Sequence, residues 1–211
     1  MELYFSPLAC SMASRIVVYE TGASATFIEV DPKTKRTPDA IDYLTINPLG
    51  LVPALSTDEG DLLFENAAIL QWIAERHPHS GLVPREGMAR SRLQQWLSFI
   101  GTELHKALFI PLFDKNLPDA TRSKTLEIGS KRLAYLDHHL SGREFLLDQF
   151  TVADAYLFTV LNWNIATPVD LGAWTAVQAY YLRLKSRPTI ARALKEEFQL
   201  YAAEQQRHKA A

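Results

Sequence analysis

The sequence contains a single cysteine, Cys10, among 211 residues. One thiol excludes an intrachain disulfide and any metal site built from several cysteines. A lone thiol also fits a reducing compartment, so a cytoplasmic location is expected. No run approaches the roughly 18 consecutive apolar residues that a membrane span needs, so no membrane partner is expected. The start, Met1-Glu2-Leu3-Tyr4-Phe5, carries an acid and lacks the basic stretch of a secretory signal. Excess charge is missing as well: 22 basic against 24 acidic side chains give −2, which leaves no electrostatic footprint for nucleic acid. There is no internal repeat. A chain with 47% hydrophobic and 22% charged residues is of ordinary globular composition and long enough to bury a proper core.

Residues 1–77 mix strand and helix signals, 78–86 read as a linker rich in Pro and Gly, and 87–211 read as helix throughout. Glu2–Phe5 is strand-like, Ser11–Glu20 fits a helix stopping at Gly22, and Thr26–Val30 is β-branched and aromatic. Strand, helix and strand within about 30 residues make a βαβ unit with parallel strands. Val52-Pro53 opens a further strand, where proline is confined to a start or an edge. The Asp58-Glu59-Gly60-Asp61 turn leads into Leu62-Leu63-Phe64 as a hairpin, and a helix follows over Ala67–Arg76. The fold class is therefore an α/β N-terminal domain, βαβ then ββα, plus an all-α C-terminal domain.

In the second part Leu93, Trp96, Leu97, Ile100, Leu104 and Leu108 repeat at three and four residues along one long helix ending near Pro111. A helix after Pro118 carries Leu126, Leu133, Leu136 and Leu140. Thr151–Trp163 is apolar almost all round and predicts a buried central helix, with Thr151 and Asp154 at capping-box spacing. Shorter helices are expected near Trp174–Ser186 and Thr189–Glu197, with a loosely held polar tail from Tyr201.

Three places could carry chemistry. Cys10 follows the first strand and precedes the first helix, where unpaired backbone N–H groups and the helix dipole favour an anion. A thiol so placed has a lowered pKa, to which Arg15, one turn on, adds; Ser11 either caps the helix or offers its hydroxyl to the same anion. Asn66 sits at another helix start, as a cap or as a carboxylate-binding end with Glu65 beside it to meet an amine. Glu103, His105 and Lys106 fall mid-helix and read equally well as a solvated face. His77, His79, His138, His139 and His208 show no ligand spacing, and no metal site is expected.

Ser6-Pro7-Leu8-Ala9-Cys10-Ser11, Asn47 to Leu55, Glu65-Asn66-Ala67-Ala68-Ile69, Thr102 to Lys106 and Phe150 to Phe158 resemble, in order and at matching spacing, the bacterial beta-class glutathione S-transferases. The resemblance implies a thioredoxin-like N-terminal domain holding glutathione, and a helical domain with a site for a hydrophobic electrophile. It also implies a homodimer engaged in detoxification. By position, Cys10 and His105 stand at the glutathione sulfur as catalytic residues. Val52, before a cis Pro53, pairs with the cysteinyl part, Glu65 and Asn66 hold the γ-glutamyl group, and Lys35 reaches the glycine carboxylate. His105 and Lys106 line the site, and Glu103 reaches the glutathione of the partner subunit. Many members have Ser or Gly in place of Asn66, and Ser98 stands where relatives often carry Asn.

The expected function is conjugation of the glutathione thiolate, as co-substrate, to hydrophobic electrophiles. Two other readings stay open at this point. One is a monothiol glutathione-dependent oxidoreductase using Cys10, since Cys10-Ser11-Met12-Ala13 is no dithiol motif. The other is a non-catalytic carrier of hydrophobic ligands.

Overall fold

A computed structural model describes residues 1–210. The chain divides into two compact units, one made of residues up to Ser80 together with the last helix from Pro188, the other of Gly81–Arg187.

The first unit opens with Glu2–Phe5 (β1), Met12–Thr21 (α1) and Thr26–Glu29 (β2). β1 and β2 run parallel, with Leu3 opposite Phe27, as the βαβ pattern requires. Gly22 ends α1 in the left-handed region at φ 69°, where its N–H reaches the Val18 carbonyl. Ala54–Ser56 (β3) and Leu62–Phe64 (β4) form the predicted hairpin, and the sheet order is β2-β1-β3-β4. Pro53, after a cis peptide bond, lies just outside β3 and so removes no ladder donor. Asn66–Glu75 (α2) follows and packs with α1 against the sheet, burying Ile69, Leu70 and Ile73. On the sheet's other side Tyr4, Val30, Tyr43 and Ala54 make a small core, joined by Ile28, Val52 and Phe64.

The second unit is helical. Gly87–Phe99 (α3) runs on into Ile100–Phe109, where the helix widens to i→i+5 hydrogen bonding, and ends in Ile110–Leu112 (α4). The Ile110 N–H accordingly bonds to the His105 carbonyl. The single regular helix expected over this stretch is therefore continuous but carries a widened segment, a feature often found at functional sites. Asp119–Leu140 (α5) approaches that segment so closely at Gly129 that a Cβ there would lie 2.2 Å from Leu108 Cδ1. All ten residues of Val152–Leu161 (α6) are buried, and the Thr151/Asp154 capping box is formed. Thr175–Lys185 (α7) completes the unit.

The last helix, Pro188–Ala210 (α8), belongs to the first unit and packs on α1. It is far longer than the helix expected over Thr189–Glu197, and the polar tail is not loose. Ile190, Ala193, Leu194, Glu197 and Glu204 are buried along one stripe. The stripe contains carboxylates, so its period is invisible to a count of apolar residues.

Candidate active site

Cys10 sits in the turn between β1 and α1, half-buried, and its Sγ donates to the Val52 carbonyl at 3.2 Å. The thiol thereby meets the backbone just before Pro53 and the start of β3. Asn66 joins the same cluster: its Nδ2 donates to the Cys10 carbonyl (3.1 Å) and its Oδ1 accepts from Ser14 Oγ (3.0 Å). Cys10, Val52 and Asn66, far apart in the sequence, thus converge, and Ser14, which no sequence motif marks, completes the link.

The cap assignments shift by one. Glu65, not Asn66, is the residue preceding α2, and its side chain makes no cap bond. Its carbonyl accepts the N–H groups of Ala68 and Ile69, both at 3.0 Å. Glu65 holds φ 67°, a left-handed conformation costing roughly 1 kcal/mol or more in a non-glycine residue. Its carboxylate is exposed. Asn66 is buried, with its side chain turned towards α1, so only its backbone N–H is left at the helix start for a ligand. Ser11 does not cap α1 either: its hydroxyl is fully buried and exchanges bonds with the Ser6 backbone.

Arg15 differs from expectation as well. It is buried, with Nε on Glu197 Oε1 (2.9 Å) and its guanidinium stacked over Phe27 and Phe5. Its charge is engaged by α8 and not directed at the Cys10 sulfur. Burial pushes Glu197 up to about 7 against the opposing pull of Arg15. The other Glu197 oxygen accepts the Leu8 N–H at 2.6 Å, which fixes the turn leading to Cys10. Lys35 lies in the loop after β2 with φ 56°, and its Nζ donates to the Gly50 carbonyl at 3.0 Å.

In the second unit the widened segment presents Glu103, His105 and Lys106. Glu103 Oε2 accepts from Arg132 Nε at 2.8 Å, and Lys106 is exposed. His105 is buried, with Nδ1 2.6 Å from the Tyr156 hydroxyl and its ring edge-on to Trp163 at 4.9 Å. Burial, and then the charge of Lys106, lower His105 from 6.5 to about 4, so the ring is neutral at neutral pH. Trp163 also meets Phe113 (5.5 Å) and Phe109 (6.0 Å) edge to face, forming an aromatic cluster whose Phe113 is 40% exposed. In the sequence Tyr156 reads only as core, because its apolar neighbours give no sign of a polar partner. Among the described residues no group of three His, Cys, Asp or Glu could hold a metal ion.

The folded-state value of His105 lies below the unfolded one. The unfolded chain therefore binds this proton more readily, and stability falls as pH drops from 6.5 towards 4, by on the order of 3 kcal/mol. Glu197, raised in the folded state, opposes this slope, since it favours the fold at low pH and loses that contribution as pH rises to about 7. The difference between His105→Gln and the parent isolates the first effect. The parent should lose more Tm between pH 7.5 and 4.5 than the variant does; equal losses would contradict the assignment.

Two family models match the chain: the glutathione S-transferase N-terminal domain over residues 2–75, and the C-terminal domain over residues 102–188. The chain belongs to the glutathione S-transferase family. The transferase is 39% identical to glutathione S-transferase GstA of Escherichia coli O157:H7 over 199 residues, covering 93% of this chain and 98% of that one. A sphingomonad glutathione S-transferase solved in complex with glutathione is 43% identical, with a TM-score of 0.89, over 93% of this chain and 98% of that one. The bacterial beta-class glutathione S-transferase of Sphingomonas chungbukensis is 41% identical, with a TM-score of 0.88 and the same coverages. The beta-class resemblance read from the motifs and the thioredoxin-like N-terminal sheet of the transferase agree with these matches.

Proposed function

We propose that the chain binds glutathione on its first unit and transfers the glutathione sulfur to hydrophobic electrophiles, acting as a cytoplasmic homodimer in detoxification. The observation that carries this reading is the convergence of the Cys10 thiol, the Val52 carbonyl and the Asn66 side chain beside the left-handed Glu65.

The Val52 backbone, in the bend before β3, pairs with the cysteinyl part of the peptide by main-chain hydrogen bonds. The Glu65 carboxylate meets the γ-glutamyl amine, and the Asn66 N–H at the start of α2 meets its carboxylate. Lys35 leaves Gly50 for the glycine carboxylate. The thiol of glutathione then lies against Cys10, loses its proton to solvent, and attacks an electron-poor carbon. A carbon–sulfur bond forms as the carbon–halogen bond of a haloarene breaks and halide departs. Neutral His105 serves as a hydrogen-bonding group at that sulfur, not as a cation. Lys106 supplies positive potential, and the aromatic cluster around Trp163 takes the electrophile. Glu103, held by Arg132, is turned to the glutathione of the partner subunit.

The purified protein should be retained on immobilised glutathione and turn over a haloarene. Cys10→Ala should keep most of that turnover, within about tenfold, while losing any mixed disulfide with glutathione detectable by mass. Loss of conjugation together with the thiol would count against this mechanism, and thiol–disulfide exchange that vanishes in Cys10→Ala would favour the monothiol oxidoreductase. Binding without turnover would leave a carrier.

A further inference from the structure

The far end of α8 meets the loop that bears Lys35. His208 Nε2 lies 2.7 Å from Asp31 Oδ2, in a pair whose side chains are only 11% and 19% exposed. Arg207 pairs with Glu29, and the Glu204 carboxylate lies 3.9 Å from His208 Nδ1. Three carboxylates, from the end of β2 and from α8 itself, are thus gathered around two basic side chains of the last helical turn.

Asp31 organises everything that follows it. Its Oδ1 accepts the N–H groups of Lys33 (2.8 Å) and Thr34 (2.9 Å), and its carbonyl accepts the N–H of Lys35 (3.0 Å). Its own N–H donates to the Arg36 carbonyl at 3.0 Å. Lys35 is thereby held in the left-handed region, with its carbonyl bonded to the Tyr43 N–H at 2.8 Å. Burial acts to raise the Asp31 pKa, but the donors from Thr34, His208 and Lys33 outweigh it and bring it down to about 2. Asp31 is consequently a full anion in the working range, with one oxygen shaping the loop and the other tied to α8.

We propose that His208 is a positioning residue: by fixing Asp31 it sets the backbone of Lys35, and so governs affinity for the glycine carboxylate of glutathione. The inference rests on the reading of Lys35 given above. A merely structural latch would lower stability and affect all thiol substrates alike. A positioning role acts on one end of one substrate.

The test compares KM for glutathione with KM for γ-glutamylcysteine, which lacks the glycine carboxylate. His208→Ala should raise the former by about three- to tenfold, leave kcat and the latter unchanged, and speed amide exchange at Lys33 and Thr34. His208→Gln, whose amide still donates to Asp31, should restore most of the affinity. Lys35→Ala should raise KM for glutathione by itself, and adding His208→Ala should then change nothing further. A His208→Ala variant with unaltered KM, with equal rises for both thiols, or with an effect additive to that of Lys35→Ala overturns the positioning role and leaves Lys35 in place. A Lys35→Ala variant with unaltered KM overturns the Lys35 reading, and the proposal with it.

Discussion

Replacing Glu65 by glutamine should raise KM for glutathione by about ten- to a hundredfold while leaving Tm essentially unchanged. A charge-assisted hydrogen bond to an ammonium group contributes about 1.5–3 kcal/mol, and each 1.4 kcal/mol is close to tenfold. The fold has no evident use for this carboxylate: it is exposed, makes no cap bond, and sits on a backbone at φ 67°. The same reasoning gives the converse experiment. Glu65→Gly should lose affinity at least as severely yet gain stability, because glycine adopts that φ without strain. Titration of binding by calorimetry alongside thermal melts checks both. A glutamine variant that binds normally would remove Glu65 from the site, and one that melts early would make it a structural residue.

The second large effect concerns stability. Asp154→Ala should cost about 3–5 kcal/mol, lowering Tm by roughly 10–15 °C for a chain of this size. The carboxylate is fully buried and accepts from four donors: the Leu146 N–H (2.9 Å), the Thr151 N–H (2.8 Å), Thr151 Oγ1 (2.9 Å) and the Tyr180 hydroxyl (2.8 Å). Burial drives its pKa up, with those donors pulling the other way. Alanine leaves all four donors buried without their acceptor, which is the costly direction of the exchange. Thr151→Ala removes only one of these four bonds, that of Oγ1, because its backbone N–H remains, and should lose less than half as much. A Tm shift of a few degrees for Asp154→Ala would mean that water or rearrangement replaces the carboxylate.

The parts legible in the sequence are those where one local rule suffices. The βαβ start, the hairpin at Gly60, and α6 with its capping box each announce themselves by period and punctuation. Cys10 was legible because a thiol at a strand-to-helix turn is an unusual placement. What stayed hidden depends on distant partners or on backbone shape. Arg15 reads as an aid to Cys10 until Glu197, 182 residues away, is seen to take its charge. The widened helix at Ile100–Phe109 has an apolar spacing that a regular helix would satisfy equally well. Glu65 carries its left-handed φ without the glycine that would advertise it. His208 shows no ligand spacing in the sequence, and its partner Asp31 is 177 residues distant.

The membership of α8 in the first unit bears on how the molecule is made. During synthesis the leading residues through Ser80 emerge from the ribosome long before Glu197 does. Until then Arg15 and the Leu8 amide, both of which Glu197 satisfies in the finished fold, have to wait for their acceptor. The first unit is therefore an unfinished piece until the residues of α8 have been made, however early its own strands appear. A gene fragment ending at the linker would encode a sheet and two helices lacking their buried counter-charge.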